Sequence, residues 1–566
     1  MIDRRHFLEA AALAGAASTL FPGALYARHV RESGGGPGVA SAEITLATIQ
    51  EAEQLAGLSF TDAQREQILD RLKEARVQYD VLRETPLPNH VLPSLVFNPD
   101  IGGLRPQGMA ARAPISWTPP PAAGRPDTEE DLAFAGVARL SALLKARLVT
   151  SVELTELCLA RLRRFDPVLK CVVSLTADRA LRQARAADAE LDAGHWRGPL
   201  HGIPWGAKDL LSTRGYPTTW GAKPYEHQVL DEDADVVRLL DDAGAVLVAK
   251  LTLGALAMGD VWFGGTTKTP WNTERGSSGS SAGPGSAVAA GCVPFAIGSE
   301  TLGSIVSPSN RNGVTGLRPT FGRISRTGAM TLSWTMDKLG PMCRSAEDCA
   351  LVFGAIHGAS PSDPTSITMP FEWPPERHIQ DLRVGVVDVP DYRNTEADRS
   401  IHGLLRSHGV ALRPVTLPDR ATGPMLQMLR AEAAAAFDDL IRSGRADELV
   451  RQDDGAWPAT FRAARFIPAV EYINASRART LLMQDMRAVF RDVDVVVVPT
   501  FGANQLAITN LTGHPSITFP NTVAAPDGQV ESLTIIGDLY RDQAVLAVAA
   551  FIQSNTSFHL ERPALP

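Results

Sequence analysis

The segment from Gly276 to Thr320 constrains this chain more than any other. It reads GSSGSSAGPGSAVAAGCVPFAIGSETLGSIVSPSNRNGVTGLRPT. Two stretches dense in glycine and serine flank a small-residue helical run, Ala287 to Gly291, and a strand-like run, Val293 to Ile297. Glycine permits close backbone approach and φ/ψ values closed to other residues. A flexible linker has a similar composition, but linkers do not enclose an apolar helix and strand. A phosphate loop is excluded as well, because GxxxxGK[ST] is absent and no GxGxxG opens a helix here.

The surroundings predict an α/β protein. Short β-branched or apolar runs occur at 245–249, 384–387 and 493–498, with helical patterns between them. That alternation predicts a mixed or largely parallel central sheet covered by helices. Thr150 and Glu153 suggest a capping box, and Leu154, Leu157, Cys158, Leu162 and Phe165 form a helical apolar stripe before Pro167. Residues 41–85 read as an N-terminal helical extension. There Thr61 and Gln64 fit a capping box, Ile68, Leu72, Ala75, Tyr79 and Leu82 form one helix face, and Pro86 and Pro88 close it. Residues 86–130 are a Pro-rich connecting segment, and the main domain covers 131–566.

The first residues predict export. Arg4-Arg5-His6-Phe7-Leu8 precedes an Ala-rich apolar stretch, Ala10 to Leu20, with small residues around Ala24 and Ala27. The order resembles a twin-arginine signal over 1–27, followed by a flexible linker over 28–40. The expected location is periplasmic or secreted; the competing reading is a first amphipathic helix of the mature fold. The net charge is −8 and no dense Lys/Arg block exists, so nucleic acid is not an expected partner. No run of 18 apolar residues exists, so no membrane span is expected. The five cysteines, Cys158, Cys171, Cys292, Cys343 and Cys349, form no CxxC pair, which leaves a zinc or redox site without support. Buried packing is their default, with a disulfide left open.

Several motifs in order then resemble one family. His201 to Asp209 reads HGIPWGAKD, Gly313 to Thr320 reads GVTGLRPT, Asp337 to Pro341 reads DKLGP and Gly513 to Ile517 reads GHPSI. Together with the two Gly/Ser stretches, they resemble the amidase signature family from about residue 131 onward. The resemblance implies the amidase signature fold and a Ser-Ser-Lys triad. Its lysine falls on Lys208, its bridging serine on Ser280 and its nucleophile on Ser304. The oxyanion donors fall on the backbone N–H groups of Thr301, Leu302, Gly303 and Ser304. Gly279 and Ser281 take supporting places, and the Gly279–Ser280 peptide is implied to be cis. No metal or organic cofactor is implied.

The chemistry stands beside the resemblance. A serine hydroxyl is a weak nucleophile and needs an adjacent base. These motifs leave a lysine for that task, and a lysine serves only when neutral, a state that burial favours. Lys208 lies among Ile203, Pro204, Trp205, Leu210 and Leu211, so burial is expected. Ser280 would relay the proton. Against the common pattern, Leu302 replaces a glycine, Glu300 an aspartate, Val306 an arginine and Ala255 a glutamate. The pocket is expected around Trp262-Phe263 and residues 425–480, and His201 is expected to be structural. The leading expectation is an exported hydrolase of a small-molecule amide, with a homo-oligomer left open. The alternatives are an A-type subunit of a glutamine-dependent tRNA amidotransferase, against which export and the fused helical extension argue, and a catalytically silent scaffold. The phrase Leu55 to Thr61 also resembles the small C-type subunit of such amidotransferases; a plain helical clip is the other reading.

Overall fold

The computed structural model describes residues 43–84, 87–91, 95–101, 115–389 and 395–565. The export signal and the linker expected over 1–40 lie outside the described residues. The described residues form two compact units, one of those up to 88 with 466–468 and one of the rest.

In the first unit, helix Leu46–Ala56 precedes helix Asp62–Arg83. The capping box is formed: Thr61 Oγ1 accepts from the Gln64 amide, and Gln64 Oε1 accepts from the Thr61 amide at 2.8 Å. On the expected apolar face Ile68 and Ala75 are half-buried, whereas Leu72 is 38% and Leu82 61% exposed.

The second unit is built on a sheet of eleven strands. In chain order they are β1 (Val172–Leu175), β2 (Pro204–Lys208), β3 (Val246–Leu251), β4 (Phe295–Glu300), β5 (Thr315–Arg318), β6 (Lys338–Cys343), β7 (Val384–Val386), β8 (Leu412–Pro414), β9 (Val495–Pro499), β10 (Ser516–Pro520) and β11 (Ser532–Gly537). Their spatial order is β1-β3-β2-β4-β6-β5-β10-β11-β9-β7-β8. The sheet is mixed rather than largely parallel. β3-β2-β4 and β9-β7-β8 pair parallel, and the stretch from β4 through β6, β5, β10 and β11 to β9 pairs antiparallel. Within the antiparallel stretch, β5 and β6 are consecutive strands joined by a loop, as are β10 and β11, and such connections suit antiparallel neighbours, whereas parallel neighbours need long crossovers.

Each half of the sheet has its own core. One joins Cys158, Leu162 and Phe165 to Val246, Val248 and Val288. The other joins Met428, Leu482 and Met486 to Val496 and Val498. The first rests on helix Ser151–Leu169, which continues through Pro167 and ends one turn later than its sequence suggests. Thr150 caps it by accepting from the Glu153 amide, while the Glu153 carboxylate bonds to Arg125 instead of closing the box. The small-residue helix is also longer than expected, Ala282–Ala289, and the strand after it is shifted to β4. All five cysteines are free and buried. Among the described residues no helix is long and apolar enough to cross a membrane, and no cluster of His, Cys, Asp and Glu could hold a metal ion.

Candidate active site

Three segments far apart in sequence converge at one edge of β2 and β4. Lys208 is the last residue of β2, a strand flanked by β3 and β4 and buried along its whole length. Trp205 stacks on Phe295 of β4 at 6.1 Å between ring centroids, which holds the two strands together. Lys208 is fully buried among the expected apolar neighbours. Its Nζ lies 2.8 Å from Ser280 Oγ, 3.0 Å from Ser281 Oγ, 2.9 Å from Ser299 Oγ and 3.3 Å from the Ser299 carbonyl. No carboxylate pairs with it among the described residues. Burial pushes its ammonium pKa well below the usual lysine range, against the pull of Asp337 and Glu300.

Ser280 and Ser281 sit where a loop enters helix Ala282–Ala289, with Ser281 at the N-cap. The Gly279–Ser280 peptide is cis. Gly279 is required sterically: a Cβ there would lie 1.8 Å from the Gly259 carbonyl oxygen. The Ser281 amide donates to the Ser304 carbonyl at 3.1 Å, which ties this loop to the second serine turn.

Ser304 lies in the turn between β4 and helix Val306–Asn312 and is 8% exposed. The structure has no hydrogen bond between the Ser280 and Ser304 hydroxyls, so the relay is closed on the lysine side only. Among the described residues the amides of Thr301, Leu302, Gly303 and Ser304 find no acceptor, whereas the next two, of Ile305 and Val306, donate to Glu300 Oε2 at 2.8 and 2.9 Å. Gly303 has φ +86°, a left-handed value that suits glycine. Leu302 is half-buried and Val306 fully buried.

The substituted Glu300 supports this turn. Its other oxygen accepts from Arg318 Nη1 and Asn510 Nδ2, both at 2.7 Å. Burial disfavours its charge, but Arg318 and the helix amides outweigh burial and hold its carboxyl down to about 2. Thr301 is fixed from the other side, its hydroxyl donating to Asp337 at 2.6 Å, while Asp337 also accepts from the Leu332 and Ser333 amides. A small cavity of 20 Å³ adjoins this turn, lined by Ser299, Thr301, Asp337 and Arg326 and by apolar side chains including Met330 and Leu332.

Other expected residues fall elsewhere. Trp262 and Phe263 pack on each other at 4.7 Å, and neither lines that cavity. No residue of the 425–480 segment lines that cavity either, although Glu432 accepts from the hydroxyl of Ser333, next to the lining Leu332, at 2.6 Å, and Tyr472 donates to Glu432 at 2.9 Å. His201 is structural, its Nδ1 accepting from the Arg197 amide and its Nε2 facing the Ala187 carbonyl at 2.9 Å. Ala255 opens a short turn in which Leu256 and Ala257 take φ +49° and +61°, and Ala257 lines the small cavity. Sequence reading missed Ser299. Its signal was a serine beside Glu300 at the end of the apolar run FAIG, in a strand buried along its whole length.

Comparison with known proteins follows the same outline. A family model for amidases matches residues 153–516. The A-type subunit of glutamyl-tRNA(Gln) amidotransferase from Roseiflexus sp. (strain RS-1) is 35% identical over 469 residues, 74% of this chain and 96% of that protein. Its counterpart from Methylococcus capsulatus is 33% identical over 481 residues, 76% of this chain and 98% of that one. Among solved structures, the native peptide amidase of Stenotrophomonas maltophilia superposes with a TM-score of 0.66 at 30% identity, over 76% of this chain and 98% of its own.

Proposed function

The chain belongs to the amidase family, whose enzymes hydrolyse amide carbon–nitrogen bonds, and on that premise we propose that it cleaves a carboxamide through an acyl-enzyme on Ser304. The observation that carries the reading is a buried lysine without a carboxylate partner among the described residues, 2.8 Å from the Ser280 hydroxyl. A neutral Lys208 draws the proton of Ser304 through Ser280 as Ser304 attacks the carbonyl carbon. The oxyanion that develops meets backbone amides of 301–304 that have no other acceptor among the described residues. Return of the proton to the nitrogen releases ammonia or an amine, and water, deprotonated by the same relay, frees the carboxylate.

Two physiological settings share this chemistry. In the first, the protein is a free-standing amide hydrolase, a reading the likeness to the solved peptide amidase supports, and the segment around Arg4 and Arg5 exports it. In the second, it is an A-type subunit of an amidotransferase acting on glutamyl-tRNA(Gln), and the two amidotransferase relatives favour that setting. Ammonia release from glutamine, peptide amides and simple carboxamides separates them. The first setting expects turnover by the purified chain alone; product formed only with glutamylated tRNA and partner chains would establish the second. Export is tested by replacing Arg4 and Arg5 with lysine, which should hold the protein in the cytoplasm; unchanged export removes the twin-arginine reading.

A further inference from the structure

The hydrogens around Lys208 can be assigned by counting. The Ser281 hydroxyl donates to the Ser299 carbonyl at 3.1 Å, and its oxygen accepts from the Ser299 amide at 3.1 Å. Its one hydrogen is therefore spent, and toward Lys208 it can only accept. The Ser299 carbonyl, 3.3 Å from Nζ, also only accepts. A neutral amine has two hydrogens and one lone pair. One hydrogen goes to Ser281 and the other to the side occupied by Ser299, which leaves one direction, toward Ser280.

The remaining ambiguity is the Ser299 hydroxyl, 2.9 Å from Nζ. If it donated to the lone pair, it would compete with Ser280 and block the relay. Ser299 also lines the 20 Å³ cavity beside Thr301, Asp337 and Arg326. That volume admits about one water molecule, and the polar wall supplies the partners such a water requires.

We infer that Ser299 is a positioning residue for Lys208: its carbonyl and hydroxyl oxygens share one amine hydrogen, its own hydroxyl hydrogen turns into the cavity onto a water held there, and the amine lone pair is left facing Ser280. The inference rests on Lys208 being the base. The charged groups around the pocket are Glu300 and Asp337, Lys338 beside them, Arg326 on the cavity wall, and the Asp209–Lys250 pair on the next residue and strand. None of them is altered by changing Ser299.

The test follows inactivation of the full-length enzyme by a fluorophosphonate across pH in wild type, Ser299→Ala, Ser299→Thr and Lys208→Ala. An accepting hydroxyl stabilises the ammonium form, so its removal should shift the acid limb of Ser299→Ala to lower pH. The plateau rate should fall by about tenfold, as one oriented hydrogen bond to the amine is lost. Ser299→Thr, which keeps the hydroxyl, should restore both. A limb shifted to higher pH would mean that Ser299 donates to the lone pair, and would overturn the inference. So would a wild-type limb and plateau in Ser299→Ala, or a Thr variant no better than Ala. If Ser299→Ala does not fold, Ser299→Cys, nearly isosteric and a weak acceptor, is measured against the same outcomes. An acid limb that survives in Lys208→Ala removes the base assignment itself, which is a distinguishable result.

Discussion

Lys208 and Lys250 stand at the ends of neighbouring parallel strands and differ in what they meet there. Lys250 lies opposite Ala207 in the register, and both lysines are fully buried. Lys250 ends 2.7 Å from the Asp209 carboxylate and also reaches the Pro217 carbonyl at 3.1 Å and the Thr218 hydroxyl at 3.0 Å. Lys208 meets three serine hydroxyls and a carbonyl. Burial lowers the ammonium pKa of both, and at Lys250 Asp209 works directly against it. Desolvation is thus common to the two sites, and pairing separates them. A buried amine with a counterion acts as a structural tie; one surrounded by neutral oxygens can be a base.

The largest effect expected from this comparison is on catalysis. Lys208→Ala should slow acylation of Ser304 by roughly 10²–10⁴-fold, the usual contribution of a positioned base. In wild type the rate should rise with pH as Lys208 loses its proton, with the limb well below the ordinary lysine range because burial disfavours the charge. That limb should be absent from the variant. A variant with wild-type rate would erase the distinction between the two lysines.

Lys250→Ala should act on stability instead. It leaves Asp209 buried without its cation, a loss of about 3–5 kcal/mol, read by equilibrium denaturation. Activity per folded molecule, counted by active-site titration, should stay near wild type. A stable variant with lost activity would place Lys250 in the chemistry.

The smallest effect sharpens the role of burial. Arg442 pairs with Asp438 at 2.7 Å on the surface, its side chain 34% exposed. Arg442→Ala should change stability by about 0–1 kcal/mol, since water screens such pairs. A loss as large as that of Lys250→Ala would show that pairing, rather than pairing without water, sets the energy.

Much of the site was legible because its parts carry local signals. The Gly/Ser stretches around an apolar helix marked the segment, the resemblance to the amidase signature family singled out Ser280, Ser281 and Ser304 within it, and the apolar run around Lys208 marked a buried amine. Less was legible where the decisive partner is remote. Glu300 read only as a departure from the common pattern, yet it caps helix Val306–Asn312 through the Ile305 and Val306 amides and holds Arg318. Its added methylene gave no hint of this in sequence. The face of helix Asp62–Arg83 shows the limit of such local signals, a clean apolar period whose Leu82 is 61% exposed. Periodicity reports which side chains share a face and not whether anything covers it.

From its sequence alone this chain was determined to be α/β, to carry serines in two glycine-rich stretches, and to present a lysine among apolar neighbours. Tertiary structure decided which lysine stays without a counterion and which oxygens surround it. Lys208 meets Ser280 across 72 residues of chain and Ser299 across 91. Hydrophobic periods and turn residues act over a few residues, whereas ion pairing and the orientation of a lone pair depend on distances of about 3 Å between segments that only the order of strands in the sheet brings together.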